Sequence, residues 1–72
     1  MAKRGYLKHN SQGRYQIESG PYFTSGDQIA LKLDGVWVKG RIEYSWERQD
    51  YYFVGKDGIE THGLTGIEAK EI

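Results

Sequence analysis

The stretch "LDGVWVKGRIEYS", Leu33 to Ser45, decides the fold. Asp34-Gly35 is the strongest short-range hairpin signal in the chain, because a two-residue hairpin turn needs two left-handed backbone positions and this pair adopts them cheaply. Beyond the turn, Val38, Gly40 and Ile42 alternate with Trp37, Lys39, Arg41 and Glu43 along a strand running from Val36 to Tyr44. Val38 and Ile42 need burial more than Lys39 and Arg41 do, so the core lies on their side and Trp37 points outward with the charges. Ahead of the turn, Ile29, Leu31 and Leu33 share one face of a strand spanning Gln28 to Leu33.

The same period of two continues outward from this hairpin, punctuated by glycine. Arg4 to His9 and Arg14 to Glu18 form a first hairpin across "NSQG", and "SGPYFTSGD" is a loop broken by the one proline and its glycines. After "SWERQD" comes the apolar strand "YYFVG", ended by a turn at "KDG". Ile59 to His62, a single tight turn at "GLTG" and a last strand in "IEAKEI" complete the chain. Whether Tyr51 and Phe53 or Tyr52 and Val54 face the core is left open by this pattern. No segment keeps helical spacing for the length of an ordinary helix. Five to six short antiparallel strands in 72 residues, with a core too thin for two sheets, predict an all-β fold. It is one small, strongly bent barrel, a single domain over residues 1–72.

So short a chain buries only roughly 60% of the surface it exposes when unfolded, so its stability is modest. With no cysteine, neither disulfides nor a thiolate metal site reinforces it. The opening "MAKRGYLKHN" lacks the apolar run of a signal peptide, and no window reaches a membrane span. A cytoplasmic protein with no membrane partner is expected. The formal net charge is zero but unevenly spread: seven basic residues against three acidic ones up to Arg41, then three against seven. Barrel strands interleave the two halves in space, so salt-bridged neighbours are expected ahead of a polarised molecule.

The residues "SGDQIALKLDGVWVKGRI" resemble the middle of a Src-homology-3-type barrel, with a Gly-Asp opening a strand, a distal hairpin and a returning Trp-x-Lys-Gly-Arg strand. The ending "HGLTGIEAKEI" is similar to that family's end. More narrowly, Tyr22 to Gly55 resembles a family of short proteins, a domain of unknown function, found in plasmids, phages and conjugative elements of Gram-positive bacteria. The match rests on Gly26, Asp27, Asp34, Gly35, Trp37, Arg41, Ile42, Glu43, Tyr44, Tyr52, Val54 and Gly55. The resemblance implies a Src-homology-3-like barrel and a mobile-element setting, and no activity. Trp37 falls where that fold's groove tryptophan would stand. "GYLKHN" is not the family's aromatic strand, however, and "GLTGIEA" lacks its proline and tyrosine. Recognition of proline-rich ligands, which needs stacked aromatic walls, is therefore not expected.

Two readings of Trp37 compete. Either it covers an aromatic such as Tyr51 or Phe53, or it forms a contact patch with Lys39 and Arg41, tryptophan and arginine being enriched at interface hot spots. Tyr44, Trp46 and Tyr51 surround the "SWERQD" loop and extend the candidate partner-binding set. Glu43, Glu47 and Asp50 beside them argue against phosphate tracking there. A route for nucleic acid through Lys3, Arg4, Lys8 and Arg14 with Lys39 and Arg41 is possible and not favoured. Zero net charge predicts weak binding to DNA or RNA at physiological salt. His9 and His62 stand apart without ligand-spaced carboxylates or cysteines, so no metal and no cofactor are expected. No nucleophile triad, phosphate loop or carboxylate pair can be assembled, and an enzyme is the least favoured class. The sequence points to a non-enzymatic binding module with a protein partner. Its alternatives are an inhibitor of a host defence nuclease and a weak nucleic-acid-binding accessory protein.

Overall fold

The computed structural model describes residues 4–18 and 20–72, and every regular element among them is a β-strand. β1 (Arg4–His9) and β2 (Tyr15–Ile17) form the first hairpin. Asn10 holds its turn, the side-chain oxygen accepting from the amides of Gln12 (2.9 Å) and Arg14 (3.1 Å). β3 (Gln28–Leu33) and β4 (Val36–Ser45) are joined by Asp34 and Gly35 at φ 52° and 79°, the two left-handed positions that the turn requires. β5 (Asp50–Gly55) returns along β4, β6 (Glu60–Thr61) folds back on β5, and β7 (Glu68–Glu71) lies between β1 and β3. Before β7 the tight turn falls at Leu64–Ile67, closed by the Ile67 amide donating to the Leu64 carbonyl (3.1 Å).

Among the described residues the strands number seven where five to six were expected. β2 and β6, three and two residues long, are shorter than the runs Arg14 to Glu18 and Ile59 to His62 read in the sequence. Their flanks are spent on turns: the Arg14 amide bonds to Asn10, and the Ile59 amide to Asp57 Oδ1 (3.0 Å). Among the described residues no helix is long and apolar enough to cross a membrane.

All pairings are antiparallel, in the order β2-β1-β7-β3-β4-β5-β6. On a flat sheet β1 and β5 would stand four strand spacings apart, about 19 Å. Instead His9 Nε2 on β1 lies 2.8 Å from Asp50 Oδ1 on β5. The sheet therefore curls on itself into a half-barrel, with its two ends, β2 and β6, unpaired with each other. Inside the curl sit Leu7, Tyr15, Ile17, Ile29, Leu31, Ile42, Phe53, Leu64 and Ala69, all essentially inaccessible.

The predicted register of β4 holds. Ile42 is fully buried and Val38 packs against the core, while Lys39 and Arg41 are exposed. Burial fades toward the β3–β4 turn, where Val36 is 61% exposed, because the half-barrel is open at that end. Pairing of Ile42 with Phe53 and Tyr44 with Tyr51 settles the orientation of β5: Phe53 and Tyr51 turn inward, and Tyr52 turns outward to stack on His62. Gly40 makes the β4–β5 contact possible. A methyl group there would fall on the Val54 carbonyl oxygen and the Phe53 ring.

Candidate functional site

The six residues singled out in the sequence divide between two surfaces. Trp37, Lys39 and Arg41 lie on the outward face of β4. Tyr44 and Tyr51 have the inward parity of Ile42 and Phe53, but they sit at the far end of their strands, where the curl opens. Trp46 projects from the β4–β5 turn and is 84% exposed.

The second surface is an aromatic cluster at the barrel mouth. Tyr44 meets the Trp46 ring edge-on at 4.9 Å between centroids and the Tyr51 ring at 4.8 Å, so its own ring is fixed from both sides. Tyr51 is anchored in turn against the core. The turn that carries Trp46 is pinned by the Arg48 amide donating to Ser45 Oγ (3.1 Å) and by Gln49 at φ 55°. Beside the three rings lies a depression of about 550 Å³, completed by Gln12 and Gly13 from the first hairpin turn, Ser25 from the loop before β3, and Glu43. Gln12 and Ser25 come from loops far apart in sequence, and no strand periodicity signals them.

Next to the mouth, the curl assembles a polar clasp. Tyr15 is buried, accepts a hydrogen bond from the Leu64 amide (3.1 Å) and reaches toward Asp50 Oδ2 at 3.5 Å. His9 stacks on the Tyr15 ring at 4.2 Å and bonds to Asp50. Burial is the largest influence on the Tyr15 phenol and raises its pKa above 10.0; the Leu64 bond pulls the other way, and the Asp50 carboxylate adds to the rise. Each histidine nonetheless has one carboxylate beside it. Curling brings Asp50 to His9 across 41 positions, and His62 lies 3.3 Å from Glu60 two residues away. Neither pair is joined by a third acidic or histidine side chain to make a metal-binding group among the described residues.

On the outward face, Trp37 has neither Tyr51 nor Phe53 as its ring partner. Both of those point inward, and the Lys70 ammonium lies over the indole at 4.3 Å. Arg41 is paired with Glu43 at 2.7 Å, while Glu68 serves both Arg4 (3.3 Å) and Lys32 (4.0 Å). The two Glu68 pairs join the basic first part of the chain to its acidic second part, as interleaved strands require.

No curated protein and no solved structure matches the chain. A family model described as a domain of unknown function, DUF5348, matches residues 5–70, which takes in every element of the half-barrel except the outermost residues of β1 and β7. The chain belongs to the DUF5348 family.

Proposed function

We propose that the protein is a non-enzymatic binding module that grips a protein partner at the mouth formed by Tyr44, Trp46 and Tyr51. The observation that carries this reading is Trp46, a tryptophan 84% exposed yet held in place by an edge-on tyrosine beside a depression of about 550 Å³. An indole left in water on a pinned turn keeps its burial energy for a partner, and a ring already fixed loses little entropy on binding. The rim chemistry indicates what that partner presents. Glu43 lines the depression, Glu47 and Asp50 flank the same turn, and the other polar contributors are neutral. An arginine or lysine side chain fits, its stem along the indole and its charge over the ring and toward Glu43.

In this reading the half-barrel is of the Src-homology-3 type. The Asp34-Gly35 hairpin, the returning Trp-x-Lys-Gly-Arg strand and the tight turn before β7 support it. The setting is a bacterial mobile element, as the family resemblance implies, and the cytoplasm, as the absence of cysteine and of an apolar run in the opening residues suggests. Selection from a random peptide display library tests the partner chemistry. Enriched peptides are expected to share an arginine or lysine and to lose binding on Trp46→Ala. Enrichment of acidic or proline-rich peptides, or binding indifferent to Trp46→Ala, refutes the reading.

A further inference from the structure

The curl brings together on the outward face a row of cations that are scattered in the sequence. Arg4 on β1 stands opposite Lys70 on β7, Lys70 opposite Ala30 on β3, and Ala30 opposite Lys39 on β4. The Lys56 amide donates to the Lys39 carbonyl (3.0 Å), which carries the row onto the end of β5. Directly opposed residues on neighbouring strands point to the same face. The row therefore crosses four strands, about 14 Å along the sheet, and continues to the turn after β5, with a single uncharged position. That position, Ala30, is 1% exposed despite facing outward, so long neighbours cover it. Lys32, Trp37 and Arg41 flank the row, and Lys39, Arg41 and Lys56 line a depression of about 280 Å³ together with Val54 and Ile72.

Such a row costs the fold stability. Like charges directly opposite each other on adjacent strands repel, and Arg4 against Lys70 is of this kind, while Lys56, just past the end of β5, is held beside Lys39 by a backbone hydrogen bond. The nearby carboxylates do not relieve the whole row. Glu68 is engaged by Arg4 and Lys32, and Glu43 by Arg41, while Lys39, Lys56 and Lys70 have no ion-pair partner among the described residues. Repulsion that these contacts leave unrelieved among the described residues marks a surface that a partner completes from outside. Phosphates at regular spacing supply it, and Trp37, half-buried at the side of the row, supplies the aromatic platform that single-strand binders combine with phosphate-tracking cations.

We infer that the outward face of β7, β3 and β4, with the end of β5, binds single-stranded nucleic acid: Lys39, Lys56 and Lys70 track the backbone, and a base stacks on Trp37 as Lys70 moves from the ring to a phosphate. This surface is separate from the mouth around Trp46. It is compatible with the weak binding at physiological salt expected of a neutral chain, because only three uncompensated charges drive counterion release. Three such contacts give a salt slope of about −2, so raising salt from about 50 to 200 mM should weaken binding about 20-fold.

The test is fluorescence anisotropy with a labelled oligothymidylate of about 12 nucleotides, within the site sizes of single-strand-binding folds, at about 50 mM salt. The double variant Lys39→Glu/Lys56→Glu is expected to bind at least about tenfold more weakly and to flatten the salt dependence. Trp37→Ala should lose about tenfold. Trp46→Ala should bind like the wild type, which separates this site from the mouth. All four substitutions are at the surface, and circular dichroism confirms that each variant is folded before it is titrated. No binding at low salt, or binding unchanged in the double variant, overturns the inference. So does a duplex of equal length binding as tightly as the single strand, or polyglutamate displacing the oligonucleotide as effectively as unlabelled oligonucleotide does, since either outcome leaves an unselective cationic patch.

Discussion

Gly40→Ala tests how tightly β4 and β5 are pressed together. The added methyl would meet three groups at once: the Val54 carbonyl oxygen, Phe53 Cζ and the Gly55 Cα. Phe53 is itself locked in the core at 1% exposure, and the other two atoms are backbone of the paired strand. No rotamer change clears the site, so the strands must part or Phe53 must leave its place. Overpacking of this kind costs about 1–3 kcal/mol. A chain of this length has roughly 4–11 kcal/mol of total stability, so the loss is a large fraction of it. Urea denaturation followed by circular dichroism reads it directly: with a slope near 1 kcal/mol/M, the midpoint falls by about 1–3 M. Gly13→Ala is the control, because nothing lies within 4 Å of its new methyl and only the left-handed φ of 79° is strained. Phe53→Leu in the Gly40→Ala background should recover only part of the loss, since the Val54 carbonyl stays in the way. A Gly40→Ala stability within about 0.5 kcal/mol of the wild type would show that the sheet has room there and that the packing argument is wrong.

Ile42→Ala should cost about 2–5 kcal/mol, and Val38→Ala clearly less, because Val38 lies toward the open end; equal losses in denaturant melts would contradict the burial gradient along β4. Tyr15→Phe leaves the buried Leu64 amide without its acceptor and should lose about 1–3 kcal/mol. The raised folded-state pKa of Tyr15 sets a pH dependence as well: its contribution is complete below the unfolded value near 10.0 and is lost as pH rises through the folded value. The wild type should therefore lose stability above about pH 10 more steeply than Tyr15→Phe does, and parallel alkaline melts would exclude the clasp. His9→Ala removes a hydrogen bond to Asp50 between partners 41% and 36% exposed, so it should change stability by no more than about 1 kcal/mol.

Much of the fold was legible because β4 declares its own register. Asp34-Gly35 fixes the turn, and the contrast between Val38 with Ile42 and Lys39 with Arg41 fixes the faces. The orientation of β5 was not legible from β5 itself, since "YYFV" is apolar at every position and only its pairing with Ile42 turns Phe53 inward. What escaped the sequence reading depends on strand order. β7 inserts between β1 and β3, so Lys70 arrives beside Arg4 and over Trp37, and curling delivers Asp50 to His9. Neither follows from local periodicity. Trp46 was identified as an aromatic of the connection, but its exposure depends on the Ser45–Arg48 turn bond and on Tyr44 standing edge-on beneath it.

The most direct measurement of the central claim sets the two tryptophans against each other. Affinity capture from host extract is carried out in parallel with the wild type, Trp46→Ala and Trp37→Ala, each checked for native circular dichroism, with captured proteins quantified by mass spectrometry. A hot-spot tryptophan is worth about 2 kcal/mol or more, roughly a 30-fold change in affinity. The account predicts that the protein enriched by the wild type is lost with Trp46→Ala and kept with Trp37→Ala. Retention with Trp46→Ala together with loss with Trp37→Ala would move the protein-binding surface to the outward face and contradict the assignment of the mouth.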